Sequence, residues 1–285
     1  TLEKGWYAGL MDLKNSFAEL VAKLRAEHPV VHHITNYVTA ESCADICYAA
    51  GARPVMADFD EEVQDITSHA DALVLNLGTI NSYKLDAMER SAITAKLQGI
   101  PVVLDPVGVM ASPLRLEFAL RLLQMGLVTI VRGNLAECNA LLNGQGEGRG
   151  VDSETLGKDE GFALKVAKEA ASKFKCVFAI TGEVDHISDG KRALVLNNGH
   201  PLLAEITGSG CMTSSLVAAC AACSEDKLIA AALGVVIMGQ GAELAANFLE
   251  KKDGPGMFKV RLMDAVYHVT SKWNLVNLNP EEKLK

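Results

Sequence analysis

The run Ala-Leu-Val-Leu-Asn-Leu at 72–77 constrains the fold more than any other stretch of this chain. A nearly continuous apolar segment of this length has no face to offer to water. It is the mark of a strand covered on both sides, inside a parallel sheet with helices above and below. Similar runs recur at 30–35, 51–57, 100–108, 127–131 and 176–181. Segments with apolar residues at helical spacing fall between most of them, at 39–50, 84–97, 113–124 and 162–174, and another helix opens after Arg132. The expected fold is therefore a three-layer α/β/α arrangement, mostly parallel. An amphipathic helix over 12–27 (Leu13, Phe17, Leu20, Val21, Leu24) precedes it. From 184 to 204 the period shortens: 186–190 and 192–197 read as an antiparallel hairpin turning at Asp189-Gly190, added at one edge.

Length and composition fit one large domain over 1–285, since 49% hydrophobic residues suffice for a substantial core. The acidic segment 58–65 reads as a loop. The glycine-rich, charged segment 143–160 shows no periodicity and is expected to be an exposed, mobile loop. A net charge of −8 with no cluster of Lys and Arg argues against a nucleic-acid or anionic membrane partner. The apolar stretches 216–223 and 228–236 read as too short to span a bilayer. Residues 2–24 mix charges into their apolar positions, unlike a signal peptide, and seven cysteines at irregular spacing fit reduced thiols; a cytoplasmic setting is expected.

The chemistry concentrates where strands end. In open α/β sheets ligands sit outside the carboxyl ends of the strands, and Asn36, Asp105, Arg132, Glu137 and Thr181 all fall there. To these is added Thr207-Gly208-Ser209-Gly210-Cys211, read as a glycine turn between a short strand at 202–204 and a buried helix over 213–223. The free amides and dipole of such a helix start can hold an anion, and glycines at 208 and 210 let it approach. Two carboxylates suit Mg²⁺, Arg132 and Thr181 suit phosphate oxygens, and the glycine turn suits a transferred group. Together these are the parts of phosphoryl transfer. No Gly-x-x-x-x-Gly-Lys-Ser/Thr and no early Gly-x-Gly-x-x-Gly occurs, so neither a P-loop nor a dinucleotide site is expected. His32 and His33 are adjacent on a strand, point to opposite faces and make a poor metal pair. Cys43 with Cys47, and Cys220 with Cys223, read as packed thiols. Taken singly, Asp105 could cap a loop, Arg132 could pair with an acidic neighbour and Met56 could be core.

In order and context, His33-Ile34-Thr35-Asn36, Pro54-Val55-Met56-Ala57, Leu75-Asn76-Leu77-Gly78-Thr79, Leu104-Asp105-Pro106-Val107-Gly108, Arg132-Gly133-Asn134 with Glu137, Ile180-Thr181-Gly182-Glu183-Val184-Asp185, Asn198-Gly199-His200 and Thr207-Gly208-Ser209-Gly210-Cys211 resemble the hydroxyethylthiazole kinases, over roughly residues 30–250. The resemblance implies a ribokinase-like fold and ATP-dependent phosphorylation of 4-methyl-5-(2-hydroxyethyl)thiazole for thiamine synthesis. It implies substrate contacts at Met56, Gly208 and Asn36, ATP contacts at Arg132 and Thr181, and Mg²⁺ at Asp105 and Glu137. Cys211 stands where most ribokinase-like enzymes place an aspartate base, and Ser209 where many members have Thr or Ala. A homotrimer with active sites shared between subunits is also implied. A free-standing kinase is the simplest expectation, although some fungal members are fused to a thiamine-phosphate synthase.

Three classes compete on the residues alone: a small-alcohol kinase, a cysteine-nucleophile hydrolase or acyltransferase using Cys211 with His200 as base, and a non-catalytic ligand-binding protein. The helix start is expected to depress the Cys211 thiol pKa. Pyrimidine or sugar kinases of the same superfamily are the neighbouring alternative within the first class.

Overall fold

The computed structural model describes residues 2–144 and 160–273. The segment 145–159, most of the expected loop, lies outside the described residues. Among those described, eight strands form one sheet in the order β2-β1-β3-β4-β5-β6-β7-β8. They are β1 Val30–Ile34, β2 Arg53–Met56, β3 Ala72–Asn76, β4 Val102–Asp105, β5 Ile130–Gly133, β6 Val177–Ile180, β7 Asp185–Ser188 and β8 Ala193–Leu196. The first six run parallel, and β7 and β8 are antiparallel additions at one edge.

Two hydrophobic clusters flank the sheet, and the period of two along each strand divides its residues between them. Ala72 and Val74 of β3 face one cluster with α1 (Leu2–Glu27), α2 (Ala40–Ala50), α8 (Ser209–Ala222), α9 (Lys227–Asn247) and α10 (Pro255–Ser271). Leu73 and Leu75 face the other, with α3 (Val63–Ser68), α4 (Ser82–Gln98), α5 (Pro113–Gln124), α6 (Leu135–Asn143) and α7 (Glu160–Phe174). Every residue of β3 is buried, as a strand covered on both faces must be. The three-layer arrangement with its edge hairpin is the one expected.

Four local readings are corrected. The segment 58–65 holds the start of α3, whose six residues were too short to show a period. Strand β5 begins at Ile130, where pairing with β4 starts at Val103. Residues Leu202, Leu203 and Ala204 lie in a 3-10 helix, Pro201–Glu205, rather than a strand. Pro201 supplies the fixed φ of a helical first position, and the His200 side chain accepts the Leu202 N–H as a cap. Helix α8 consequently starts at Ser209, earlier than residue 213, and takes Gly210 and Cys211 into its first turn.

Helix α9 corrects a fifth. Its 21 residues are long and apolar enough, by length and composition alone, to cross a membrane. In the protein it is mostly buried, packed along α8 and α10 and against β6 and β7. Glycine makes that packing possible: a Cβ at Gly234 would stand 2.6 Å from the Val217 backbone of α8.

Candidate active site

The sheet order sets side by side residues that are far apart in sequence. Reading along the carboxyl edge, Met56 ends β2, Asn36 follows β1, Asn76 ends β3 and Asp105 ends β4. Arg132 lies in β5, and Thr181 follows β6, its N–H bonded to Gly133 O at 2.9 Å. Helix α8 runs from above this row, and its first turns meet it directly.

Asp105 is the buried centre, with no exposed surface. Its Oδ2 accepts from Asn76 Nδ2 at 2.8 Å and from the Ser214 hydroxyl of α8 at 2.9 Å. Its Oδ1 is buried, finds no hydrogen-bond donor among the described residues, and has Arg132 Nη1 at 3.8 Å. Burial raises the Asp105 pKa, against the pull of Arg132 and of the Ser214, Asn76 and Cys211 hydrogen bonds. Arg132 donates from Nη2 to the Thr181 hydroxyl, while its buried Nε has no acceptor among the described residues. A Cβ at Gly210 would sit 3.0 Å from the Arg132 Cζ and closer still to Nη1, so the glycine lets the guanidinium lie against the start of α8.

Glu137 is held as half of a capping box. Its Oε2 accepts the Asn134 N–H at 2.9 Å while Asn134 caps the Glu137 N–H, and Oε1 accepts from Gly108 N at 3.3 Å. Burial, then the neighbouring Asp105 charge, raises its pKa. Two carboxylates whose charges act on each other, one with an unsatisfied buried oxygen, fit a Mg²⁺ that takes one or two protein carboxylates and completes its shell with water and phosphate. Among the described residues no group of three or more His, Cys, Asp or Glu could hold a metal.

Cys211 faces the other half of the row. Its Sγ accepts from Asn76 Nδ2 at 3.2 Å and from Asn36 Nδ2 at 3.5 Å. Asn36 is buried, donates to Asn76 Oδ1 at 3.0 Å and accepts the Thr39 N–H at 3.0 Å. Gly208 packs over Thr39 at φ 88°, and a Cβ there would come within 2.7 Å of the Thr39 methyl. Glycine is thus required on both backbone and steric grounds. Met56 is half-exposed at the end of β2, one strand beyond Asn36.

The expectation of a depressed Cys211 pKa is overturned. Burial raises it, and the Asp105 charge raises it further, against the hydrogen bonds of Thr39, Asn76 and Asn36. The hydrolase reading loses its base as well: the His200 Nδ1 is occupied by Leu202 N, and the amides, not an imidazole, meet the thiol. His32 and His33 are buried and point apart, His32 to Thr67 and Ala57 O, His33 to Ser215 and Val31 O. Burial lowers both pKa values, that of His33 to about 4. Cys43, Cys47, Cys220 and Cys223 are buried thiols.

Sequence reasoning gave no role to Asn76, which holds both Asp105 and Cys211, or to Ser214, which holds Asp105. Asn76 had a signal, as the polar residue near the end of an apolar strand; Ser214 is legible only once α8 is seen over β4. Beside the row opens a cleft of about 870 Å³, lined by Arg132, Thr181, Gly182, Asn198, Pro201 and Gly210 among others.

A model of the hydroxyethylthiazole kinase family matches residues 21–272. Hydroxyethylthiazole kinase of Alkaliphilus metalliredigens is 40% identical over 263 residues, 92% of this chain and 95% of that protein. The enzyme of that name from Pyrococcus furiosus is 41% identical over 255 residues, 90% and 94%. The solved structure of a hydroxyethylthiazole kinase protein from Pyrococcus horikoshii superposes with a TM-score of 0.84 at 36% identity, covering 94% of this chain and 98% of that one. At 12% identity, a ribokinase-like superfamily protein from Enterococcus faecalis shares the fold with a TM-score of 0.65.

Proposed function

This chain belongs to the hydroxyethylthiazole kinase family, and from that premise we propose how the residues at its sheet edge carry out the reaction. The activity is ATP-dependent phosphorylation of the thiazole alcohol in thiamine salvage. The observation that carries the assignment of roles is the unbroken row Asn36, Asn76, Asp105, Arg132, Thr181 beneath the first turns of α8, with the cleft at its Arg132 end.

ATP lies in the cleft with its phosphates toward Arg132 and Thr181. The guanidinium and hydroxyl meet phosphate oxygens, replacing part of their hydration with fixed donors. The first amides of α8 face the transferred phosphoryl group and meet the charge spread over its equatorial oxygens. The thiazole alcohol approaches from the opposite end, against Asn36, Gly208 and Met56. Its hydroxyl oxygen bonds to the γ-phosphorus as the bridge to the β-phosphate breaks, and ADP keeps that bridging oxygen. Asp105 and Glu137 would hold Mg²⁺, which supplies neutralisation of phosphate charge.

Cys211 is the catalytic residue on the acceptor side. Its thiol keeps its proton, so it acts by orienting the hydroxyl and not as a base. A loose phosphoryl-transfer transition state needs little early deprotonation: the hydroxyl proton passes late to an oxygen of the transferred phosphoryl group, while Sγ hydrogen-bonds the acceptor and fixes its direction of attack.

The chain acts as one kinase unit, and seven free thiols fit a cytoplasmic setting. A homotrimer completes the acceptor side. Lys84, buried, donates to Thr35 O at 2.8 Å and pairs with Asp58 at 3.2 Å, tying together the segments that follow β1 and β2 and the start of α4. The side chains next to these ties, Tyr37, Val38, Phe59 and Tyr83, are all more than half exposed, which suits a covered surface.

The test is ATP consumption with the thiazole alcohol, hydroxymethylpyrimidine and sugar alcohols in parallel. Turnover confined to the thiazole alcohol is expected; a preference for another acceptor overturns the substrate assignment.

A further inference from the structure

Asp185 carries a carboxyl group into a cleft wall where an anion is expected to bind, and the mechanism above does not use it. It opens β7, is 5% exposed, and lines the same cleft as Arg132, Thr181 and Gly182. Its Oδ1 accepts the Gly182 N–H at 3.0 Å, closing a turn with Glu183 and Val184 at the tip. Thr181 enters that turn from β6, with its own N–H fixed on Gly133 O at 2.9 Å and its hydroxyl accepting from Arg132.

A buried carboxyl here is costly in its charged form. Burial pushes its pKa up to about 7, against the Gly182 hydrogen bond and the attraction of Arg132. It also brings negative charge beside a site for phosphate. What it contributes in return is an acceptor for the Gly182 N–H at the peptide directly after Thr181. Without it the turn is still bounded by the Thr181 N–H bond to Gly133 O and by the Ile180–His186 pairing of β6 with β7, but the Gly182 peptide between them is released and the Thr181 hydroxyl loses a fixed position against Arg132.

We infer that Asp185 is a positioning residue for the nucleotide half of the site: through Gly182 it fixes the turn that presents Thr181 and, with it, Arg132 to the phosphates of ATP. This rests on reading the cleft as the ATP site. The role belongs to the acceptor oxygen and not to the charge, which makes asparagine a faithful replacement. Asparagine keeps the hydrogen bond and removes a charge that repels phosphate.

The experiment measures ATP binding by calorimetry without the alcohol, and the KM for ATP and for the thiazole alcohol separately, in Asp185→Ala, Asp185→Asn and Arg132→Ala. Losing the acceptor is expected to weaken ATP about tenfold in Asp185→Ala, the effect of one hydrogen bond to a charged group, with the KM for the alcohol unchanged. Asp185→Asn is expected to bind ATP within about twofold of the parent chain, or more tightly. Parent-like ATP binding in Asp185→Ala overturns the inference, as does a loss in Asp185→Asn equal to that of alanine. Should the alanine chain not fold, Asp185→Leu, similar in volume and without an acceptor, takes its place under the same outcomes. Arg132→Ala separates the two levels: if it weakens ATP and Asp185→Ala does not, only the role of Asp185 fails. If neither weakens ATP, the cleft is not the phosphate site.

Discussion

At Cys211 two effects oppose each other, and the tertiary environment wins. A helix N-terminus favours a thiolate by a fraction of its dipole. The surroundings remove water and set the Asp105 carboxyl nearby, and both favour the thiol. A thiol that stays protonated can orient the acceptor hydroxyl by a hydrogen bond but is neither a proton acceptor nor a good nucleophile. Cys211→Ser and Cys211→Ala are therefore expected to slow phosphoryl transfer without abolishing it, and Cys211→Asp to retain or raise the rate. Rapid-quench kinetics with intact-protein mass spectrometry checks this; an adduct on Cys211 that forms and decays at the turnover rate would show covalent chemistry instead. Asp105→Asn and Glu137→Gln should each raise the Mg²⁺ concentration for half-maximal rate, and a wild-type metal requirement in both would make these carboxylates structural. Asp185 also makes stability pH-dependent. The folded chain holds its proton up to about pH 7, whereas the unfolded carboxyl titrates at its ordinary 3.8. Unfolding in that window releases a proton, so this group's contribution falls as pH rises from 3.8 to about 7 and is flat above. The melting temperature of Asp185→Asn relative to the parent should accordingly climb over the same window and then level off; a difference independent of pH would contradict a raised folded-state pKa.

Helices α8 and α9 link core packing to chemistry at the next scale. Gly234 lets them approach until a Cβ would press on Val217 at 2.6 Å, and backbone cannot yield as a side-chain tip can. Gly234→Ala gains about 1 kcal/mol of helix propensity but incurs an overpacking cost of about 1–3 kcal/mol. A lower melting temperature is expected. Because α8 also carries Gly210, Cys211 and Ser214, kcat should fall with it, although residue 234 touches none of the row. Unchanged kcat in a destabilised variant would show that α8 holds its position independently of α9. The element readings that succeeded, such as α5 over residues 113–124, had a proline at the start and a clear period. Two of those that failed, α3 and residues 201–205, are short. Residues 201–205 form one 3-10 turn, where the proline and the His200 cap outweigh an apolar run that looks like a strand.

For the whole molecule, the exposed side chains at Tyr37, Val38, Phe59 and Tyr83 predict self-association. Light scattering should give a mass of three 30.4 kDa chains, and Tyr83→Lys with Phe59→Lys should reduce it while raising the KM for the thiazole alcohol more than that for ATP. A monomeric parent chain with full activity would refute a shared site. The layered fold was legible along the chain, because strands covered on both faces must be almost wholly apolar and β3, buried at every residue, is so up to Asn76. Polar residues also interrupt those runs near the strand ends, which made Asn36, Asp105, Arg132 and Thr181 legible as candidates. How they are used depends on what the fold brings together. Strand order put Asn76 beside Asp105 and Arg132 beside Thr181, and the placement of α8 brought Ser214 and Cys211 onto them. The protonation of Cys211 was decided there too, since desolvation depends on what covers a group and spacing along a chain carries no record of that.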